Sequence, residues 1–256
     1  MWPRRCFHLS IHPIPSTLKY IFIYFASMKT IGIVGGLTWL STIDYYRLLN
    51  QTVNDRLGGV TSAKIILYSL EFGEIKMLTE AGDWDGLATI ICNAAKQLEA
   101  AGADCLLIGA NTMHKLADTV QRSIHIPIIH IAEVTADAIA EKQFKTVALL
   151  GTKYTMQLDF YKNKLSEKNI IVIIPEQDDV DFINYSIYNE MGKGIFLPET
   201  KAKYITIINK LIAQGAEGVV FGCTEIPILI KQENCSVPVF DTTAIHVKAA
   251  VDFALA

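Results

Sequence analysis

The sequence has almost no surplus of charge and no long apolar run of the kind that crosses a membrane. Its 256 residues carry 23 Lys and Arg against 26 Asp and Glu, so the formal net charge is −3. Proteins that bind nucleic acid usually display a basic face, whereas here the two signs are mixed along the chain. A bilayer span needs roughly 20 consecutive apolar residues, and the chain contains no such run. We therefore expect neither a nucleic-acid partner nor a membrane partner.

Cysteine is also scarce, and its spacing excludes several uses. The five cysteines form no C-x-x-C pair. Cys92 and Cys105 lie in apolar stretches, where a thiol packs as a small hydrophobic group. This usage is typical of a reduced compartment rather than of a disulfide framework, so the sequence predicts a cytoplasmic protein.

Motifs that hold nucleotides or metals are missing. The glycine-rich segment 32–36 has neither the G-x-G-x-x-G order nor the G-x-x-x-x-G-K-[ST] order of phosphate loops. The six histidines show no H-E-x-x-H or other ligand spacing. We therefore expect no nucleotide and no metal, and we look for chemistry performed by side chains alone.

The first 27 residues differ in character from the rest. Arg4 and Arg5 and three prolines precede the aromatic and apolar run 20–26, which ends directly before Met28. A signal peptide is one interpretation, because basic residues precede an apolar run. That run is short and follows polar residues, so we favour an extension that is disordered or results from the choice of gene start, with translation beginning at Met28.

Apolar runs of strand length alternate with helical patterns along the whole chain, which favours an α/β fold with parallel sheets. The spacing predicts strands at 30–35, 64–69, 104–109, 127–131, 146–151, 170–174, 217–222 and 237–240. A closed eight-stranded α/β barrel is the structural alternative, since eight strands are counted. Two equivalent halves, rather than eight equivalent units, favour two open sheets.

An internal duplication supports that choice. The segment Gly102–Thr112 is echoed by Gly215–Thr224, and the strands at 30–35 and 127–131 are echoed further along the chain at nearly constant offsets. A repeat of this length indicates two similar lobes rather than a solenoid. We predict a first lobe of residues 28–131 plus 241–256, a second lobe of 132–240, and a cleft between them at the carboxyl ends of the strands.

The two copies differ where reacting groups would lie, because Cys223 in the second copy corresponds to Ala110 in the first. A thiol at the start of a helix experiences the positive end of the helix dipole, which predicts a lowered pKa for Cys223. Thr224 could cap that helix. The alternative is a cysteine that is simply buried in the core.

Other polar residues near these strand ends are weaker candidates. Asn111 and Thr112 are expected to begin a helix, where they could hold a carboxylate or merely cap the helix. His114 could assist proton transfer, although a single histidine in a first helical turn is more often a capping or surface residue. Lys193, between two glycines, could reach a substrate carboxylate or remain a solvated loop lysine.

Several segments together resemble the aspartate/glutamate racemase family over residues 28–256. The segments that carry the resemblance are 35–42, 111–115, 149–156, 222–226 and 241–243 with His246. The resemblance implies two α/β lobes around a cleft, no pyridoxal phosphate, no metal and a homodimer. It also implies that a base from each lobe faces the substrate α-carbon, with Cys223 as the base of the second lobe. The residues that we expect to bind substrate are Leu37, Ser69, Asn111, Thr112, Thr155, Lys193 and Thr224.

Ala110 departs from the family pattern, which places Cys or Thr there. A methyl group can neither give nor take a proton, so symmetric two-base racemisation is in question, and water or His114 would have to replace the missing group. The leading hypothesis is a cofactor-independent racemase or epimerase of aspartate, glutamate or a related acidic amino acid. One alternative is a lyase with a single cysteine, similar to the arylmalonate decarboxylases of the same superfamily. Another is an amino-acid binding or sensing protein without turnover.

Overall fold

A computed structural model describes residues 28–256 of the chain. The prediction for residues 1–27 lies outside the described residues. Within the described part, two separate parallel sheets are flanked by helices. The expected α/β fold with two open parallel sheets is therefore confirmed, and the closed-barrel alternative is wrong.

The first sheet has three parallel strands in the order β2-β1-β3. These are β1 (Ile31–Gly35), β2 (Ile65–Ser69) and β3 (Cys105–Ile108). The central strand β1 is buried along its whole length, which agrees with its uninterrupted apolar and glycine sequence. The accompanying helices are α1 (Trp39–Leu57), α2 (Phe72–Ala81), α3 (Trp84–Ala100), a 3₁₀ turn (Thr112–Leu116) and α4 (Ala117–Gln121).

The second sheet repeats this order and adds one strand, giving β5-β4-β6-β7. Its strands are β4 (Thr146–Gly151), β5 (Ile171–Ile173), β6 (Gly218–Gly222) and β7 (Val239–Asp241). The helices in this part are α5 (Ile131–Glu141), α6 (Lys153–Gln157), α7 (Asp159–Ser166), α8 (Gln177–Asn189), α9 (Pro198–Ala213), α10 (Ile226–Leu229) and α11 (Thr242–Leu255), with 3₁₀ turns at Met191–Lys193 and Gln232–Asn234.

The strand expected at 127–131 is wrong as a full strand. Only one parallel bridge forms there, between Leu106 and Ile128. The main chain still pairs there, because Leu106 N–H donates to the carbonyl oxygen of Pro127 and Ile129 N–H donates to that of Leu106, before α5 begins at Ile131 with His130 as its N-cap. The counterpart in the second half, β7, forms three pairs with β6, and its helix likewise begins four residues after the proline.

Each sheet has its own buried apolar core. One cluster surrounds the second sheet and includes Val147, Tyr161 and Tyr204. On the first sheet, one face packs against α3 and the other against α1 and α11. Full burial of a side chain such as Leu49 contributes about 1.5–3 kcal/mol to stability. The division of the chain into lobes at 131 and 240 stays a prediction.

The carboxyl ends of the parallel strands lie at one edge of each sheet, because all strands of a sheet run the same way. Gly35 and Gly109 follow or end strands of the first sheet, and Gly151 and Gly222 end strands of the second. Among residues 28–256, no helix is both long and apolar enough to cross a membrane.

Candidate active site

A cavity at the strand ends collects residues from both sheets. Its empty volume is about 570 Å³, including the open solvent at its mouth. Its polar lining consists of Thr38, Lys76, Thr79, Asn111, Thr112, Thr152, Cys223, Thr224 and Glu225. Its apolar lining consists mainly of Leu37, Phe72, Ile75, Ala110, Met113, Ile187 and Tyr188. The two unequal positions of the duplication, Ala110 and Cys223, therefore line one and the same cavity.

Close packing of two strand ends fixes the position of Cys223. A Cβ atom at Gly151 would lie 2.7 Å from the carbonyl oxygen of Gly222. A Cβ atom at Gly222 would lie 3.0 Å from Leu149 Cδ1 and 3.1 Å from the carbonyl oxygen of Leu150. Glycine at both positions lets β4 and β6 end side by side. The next residue, Cys223, then leaves the sheet and lines the cavity.

The thiol of Cys223 is buried and hydrogen-bonded to a carboxylate. Its Sγ donates a hydrogen bond of 2.9 Å to Glu225 Oε2. Burial raises the pKa of the Cys223 thiol well above its usual value, and the nearby charge of Glu225 raises the pKa further. Cys223 is therefore a neutral thiol that can give a proton, and it becomes a base only when Glu225 accepts that proton.

The expected lowering of the Cys223 pKa by a helix dipole is thus wrong. Helix α10 is only four residues long, and its N-cap is Glu225, which makes no side-chain capping bond. The hydroxyl of Thr224 does not cap the helix either, because it donates to Glu225 Oε2 at 2.8 Å. A carboxylate two residues from the sulfur outweighs the weak dipole of one helical turn.

Glu225 is a candidate functional residue to which the sequence analysis assigned no role. Its carboxylate accepts hydrogen bonds from Cys223, from Thr224 and, at 2.7 Å, from Thr38 Oγ1. Thr38 also caps α1, which follows β1 of the first sheet. Its hydrogen bond therefore links the first sheet to Glu225, which follows β6 of the second sheet. The signal in the sequence was an acid two positions after the cysteine, which resembles an ordinary acid in a first helical turn.

The side chain of Asn111 is held by one hydrogen bond, and its other polar atom has no hydrogen-bond partner among residues 28–256. Its Nδ2 donates to Thr242 Oγ1 at 3.0 Å. Its Oδ1 is buried and has no hydrogen-bond partner among residues 28–256. Asn111 makes no side-chain capping bond to the 3₁₀ turn that follows, so the alternative of a pure capping role is not observed. The free carbonyl oxygen is suited to accept a hydrogen bond from an ammonium group.

Thr112 belongs to a group of three hydroxyls. Its Oγ1 lies 2.8 Å from Thr152 Oγ1 and 3.3 Å from Thr155 Oγ1. Thr112 and Thr152 line the cavity, whereas Thr155 supports them from behind and is fully buried. The hydroxyls connect the end of β3 with the end of β4.

Lys76 is a second residue that sequence reasoning did not select. It lies on α2, and among the described residues that line the cavity it is the one with a positively charged side chain. Its Nζ pairs with Glu80 at 2.6 Å on the exposed side of the helix. A cation at this wall suits a ligand that carries a carboxylate.

Besides Thr155, three predicted residues lie outside the lining of this cavity. His114 is buried, and its Nδ1 donates to the carbonyl oxygen of Ala110 at 2.8 Å. Burial lowers the pKa of His114 well below its usual value, so the ring is neutral. Ser69 ends β2 on the exposed side, and Lys193 lies in an exposed 3₁₀ turn whose middle residue, Gly192, does line the cavity.

The fold and the cavity together define a class of protein. Two parallel sheets of similar order flank a small cavity, and its lining includes a thiol hydrogen-bonded to a carboxylate and the methyl group of Ala110. Among residues 28–256, no group of three or more His, Cys, Asp or Glu side chains could hold a metal ion. Such an arrangement is suited to moving a proton to or from a small bound molecule.

Comparison with known proteins identifies the family. The Asp/Glu/hydantoin racemase family model matches residues 34–250, and the chain belongs to this family. A crystal structure of a candidate Asp/Glu racemase from Yersinia pestis is 47% identical, with a TM-score of 0.83 over 90% of this chain and 100% of that chain. PH1733, an aspartate racemase homologue from Pyrococcus horikoshii OT3, is 37% identical, with a TM-score of 0.77 over 89% of this chain and 99% of that chain.

A characterised relative agrees with this assignment. The chain is 26% identical to the broad specificity amino-acid racemase RacX of Bacillus subtilis (strain 168), over 68% of this chain and 75% of that protein. The expected family is thereby confirmed, and the protein is an isomerase of the amino-acid racemase class.

Proposed function

We propose that this protein racemises or epimerises a small acidic amino acid, aspartate, glutamate or a close relative, without a cofactor. The observation that carries the proposal is the pair of Cys223 and Glu225 in a cavity that also contains Lys76. The thiol and carboxylate supply proton transfer at the α-carbon. The ammonium group of Lys76 supplies attraction for the side-chain carboxylate of the substrate.

The proton moves in two steps at the Cys223 face. Glu225 takes the thiol proton across the 2.9 Å hydrogen bond, and the resulting thiolate takes the α-proton of the substrate. The α-carbon keeps the electron pair of the broken C–H bond as a carbanion. Backbone N–H groups at the strand ends stabilise the negative charge that spreads onto the substrate carboxylate.

Binding of the substrate rests on groups at the ends of β3 and β6. Asn111 Oδ1 accepts a hydrogen bond from the substrate ammonium, because this oxygen is buried and has no other partner among residues 28–256. Thr112 and the segment after Cys223, including Thr224, bind the α-carboxylate. Leu37 forms part of the apolar wall beside them. Ser69, Thr155 and Lys193 are supporting residues rather than direct ligands in this proposal.

Inversion requires a proton donor on the opposite face, where Ala110 has only a methyl group. We propose a water molecule held beside Ala110 for this role: it gives a proton to the carbanion, and the hydroxide that remains is neutralised by the proton that Glu225 took from the thiol. His114 is a poorer donor, because it lies outside the lining and its Nδ1 proton is bonded to the carbonyl oxygen of Ala110. Because water is a weaker acid than a thiol, inversion is slower than exchange of the α-proton.

A single-cysteine lyase is the second candidate, and the same asymmetry favours it. A neutral thiol opposite a methyl group suits the protonation of a carbanion that forms when a substrate loses carbon dioxide. In that reaction Cys223 gives its proton to the planar intermediate and no base is needed at position 110. Glu225 would then hold the thiol in its protonated form, as the raised pKa of Cys223 favours.

Two incubations separate these possibilities, one with aspartate and glutamate and one with an arylmalonate. Each enantiomer of aspartate and glutamate is incubated with the protein in D₂O, and α-proton exchange and chirality are followed together. Exchange of both enantiomers with inversion supports the racemase. Exchange without inversion reveals a lone base, and decarboxylation of an arylmalonate supports the lyase. Binding with neither exchange nor decarboxylation contradicts an enzymatic role and supports an amino-acid sensor.

The family resemblance also leads us to propose a homodimer in the cytoplasm. The mass of one chain is 28.4 kDa. Light scattering coupled to size-exclusion chromatography should give twice this mass. A monomer mass at micromolar concentration would contradict the dimer.

A further inference from the structure

A second cavity lies beside the candidate active site. It has an empty volume of about 840 Å³, including the solvent at its mouth. Its walls come from α1, from the segment around α10, from β7 and from the start of α11. Thr224 lines both cavities. Asp241 and Thr243 of the Asp241-Thr242-Thr243 segment line this cavity. The sequence singles out that segment, and the proposed reaction does not use these two residues.

Thr243 carries an unpaired polar atom at this place. The residue lines the cavity and is only 3% exposed, and its Oγ1 is buried without a hydrogen-bond partner among residues 28–256. An unpaired buried hydroxyl is unfavourable for the folded protein, so its presence is explained most simply by a ligand that bonds to it.

Asp241 is a second polar group with bonding capacity to spare. Both of its recorded hydrogen bonds go to Oδ1, from the backbone N–H groups of Thr243 at 2.9 Å and Ala244 at 3.2 Å. Burial raises the pKa of Asp241, and the negative charge of Asp44 contributes in the same direction. A positively charged group bound near these two carboxylates would relieve that unfavourable charge.

Groups of the opposite sign line the same cavity. Arg47 contributes a guanidinium that pairs with Asp44 at 3.1 Å, and Lys231 contributes an ammonium that donates to the carbonyl oxygen of Pro227. Apolar side chains, among them Leu48 and Ile228, separate the charged groups. Charges of both signs around an apolar wall fit a zwitterion with an apolar side chain.

We propose that this cavity is a binding site for a free α-amino acid with an apolar side chain. Asp241 and the Thr243 hydroxyl accept hydrogen bonds from the ammonium group of the ligand. Arg47 and Lys231 bind its carboxylate, and the apolar wall contacts its side chain. The site is separate from the cavity of Cys223, and binding to it requires no catalytic turnover.

L-Leucine is the probe, and isothermal titration calorimetry on the full chain is the measurement. We expect saturable binding with a dissociation constant of about 1 mM or tighter. Thr243→Val keeps the shape of the side chain and Asp241→Asn keeps an N-cap for α11, so both variants should fold. Each should weaken leucine binding by about tenfold or more. Lys76→Ala, in the other cavity, should leave the affinity within about twofold of the wild type.

Two truncated probes test the zwitterion. Isoamylamine is leucine without its carboxylate, and isocaproate is leucine without its ammonium. Both should bind at least about tenfold more weakly than leucine. The proposal is overturned if leucine shows no saturable binding, or if Lys76→Ala weakens binding while the Thr243 and Asp241 variants do not. Equal binding of isoamylamine and leucine would also overturn it, since the carboxylate would then have no role.

Discussion

A buried thiol donates a hydrogen bond to a carboxylate in the wall of this cavity. The distance between Cys223 Sγ and Glu225 Oε2 is 2.9 Å, and two threonine hydroxyls fix the carboxylate from other sides. The raised pKa of Cys223 follows from burial and from the charge of Glu225. In the proposed reaction, proton transfer by this sulfur therefore depends on a neighbour, as catalytic nucleophiles generally depend on an adjacent base.

Glu225→Gln should lower the rate of α-proton exchange by about 10²–10⁴-fold, because an amide cannot accept the thiol proton. The same change removes a negative charge beside the sulfur, so the pKa of Cys223 should fall. Ultraviolet absorbance of the thiolate as a function of pH measures this shift. Glu141→Gln, at the exposed end of α5, is the matched control and should alter neither quantity. A Glu225→Gln protein with wild-type exchange would remove the carboxylate from the mechanism.

Ala110→Cys should raise the rate of inversion by up to about 10²-fold, because it supplies a proton donor on the second face. Exchange of the enantiomer that Cys223 deprotonates should change little. Chiral chromatography measures inversion, and NMR in D₂O measures exchange. Ala110→Ser tests whether the effect needs a thiol. If Ala110→Cys leaves inversion unchanged, position 110 does not face the substrate α-carbon.

At the scale of elements, the strands were predictable and their environment was not. Seven of the expected strands exist, because short apolar runs bounded by glycine and polar residues are typical of strands in an α/β fold, even though β2 is largely exposed. The segment 127–131 carries the same pattern but forms a single bridge before α5 begins at Ile131. The full set of partners of Glu225 was not predictable, because one of them, Thr38, is 187 residues away in the chain.

The close approach of β4 and β6 leaves no room for a side chain at Gly151. Its substitution by alanine would put a Cβ atom 2.7 Å from a carbonyl oxygen of β6, and backbone cannot move aside cheaply. Gly151→Ala should therefore destabilise the protein by about 1–3 kcal/mol in urea denaturation. Gly73→Ala is the control, since the nearest atoms there belong to the flexible side chain of Glu71. Equal stability of the Gly151 variant and the wild type would contradict this packing.

At the scale of the whole molecule, three buried histidines lie close together. His114 belongs to the 3₁₀ turn after β3, His130 is the N-cap of α5, and His246 lies in α11. The ring centroid of His114 lies 4.8 Å from that of His130 and 5.5 Å from that of His246. Burial lowers the pKa of His130 to about 4 and that of His246 to about 3. All three rings are neutral in the folded protein. The sequence did not predict this cluster, because its members come from three distant segments.

These histidines should make the protein sensitive to mild acid. Their pKa values in the folded state lie below the unfolded value of about 6.5, so the unfolded chain binds more protons as the pH falls. Their contribution to stability is complete above pH 6.5 and is lost as the pH drops toward the folded values. Between pH 6.5 and 5 the free energy of unfolding should fall increasingly steeply, approaching about 1.4 kcal/mol per pH unit for each histidine.

Urea denaturation at several pH values measures this slope. His130→Asn retains an N-cap for α5 and should reduce the slope by about one histidine's share. His125→Gln, at an exposed position, is the control and should leave the slope unchanged. A flat stability profile in this range for the wild type would show that the cluster is not buried in its neutral form.

The most direct test of the proton transfer by Cys223 is α-proton exchange of aspartate and glutamate in D₂O, compared between the wild type and Cys223→Ser. The serine hydroxyl keeps the hydrogen bond to Glu225 but is a far weaker acid than a thiol. We expect the wild-type protein to exchange the α-proton of at least one enantiomer, and the serine variant to lose this exchange while still binding the amino acid. Exchange by the serine variant at the wild-type rate would contradict the account.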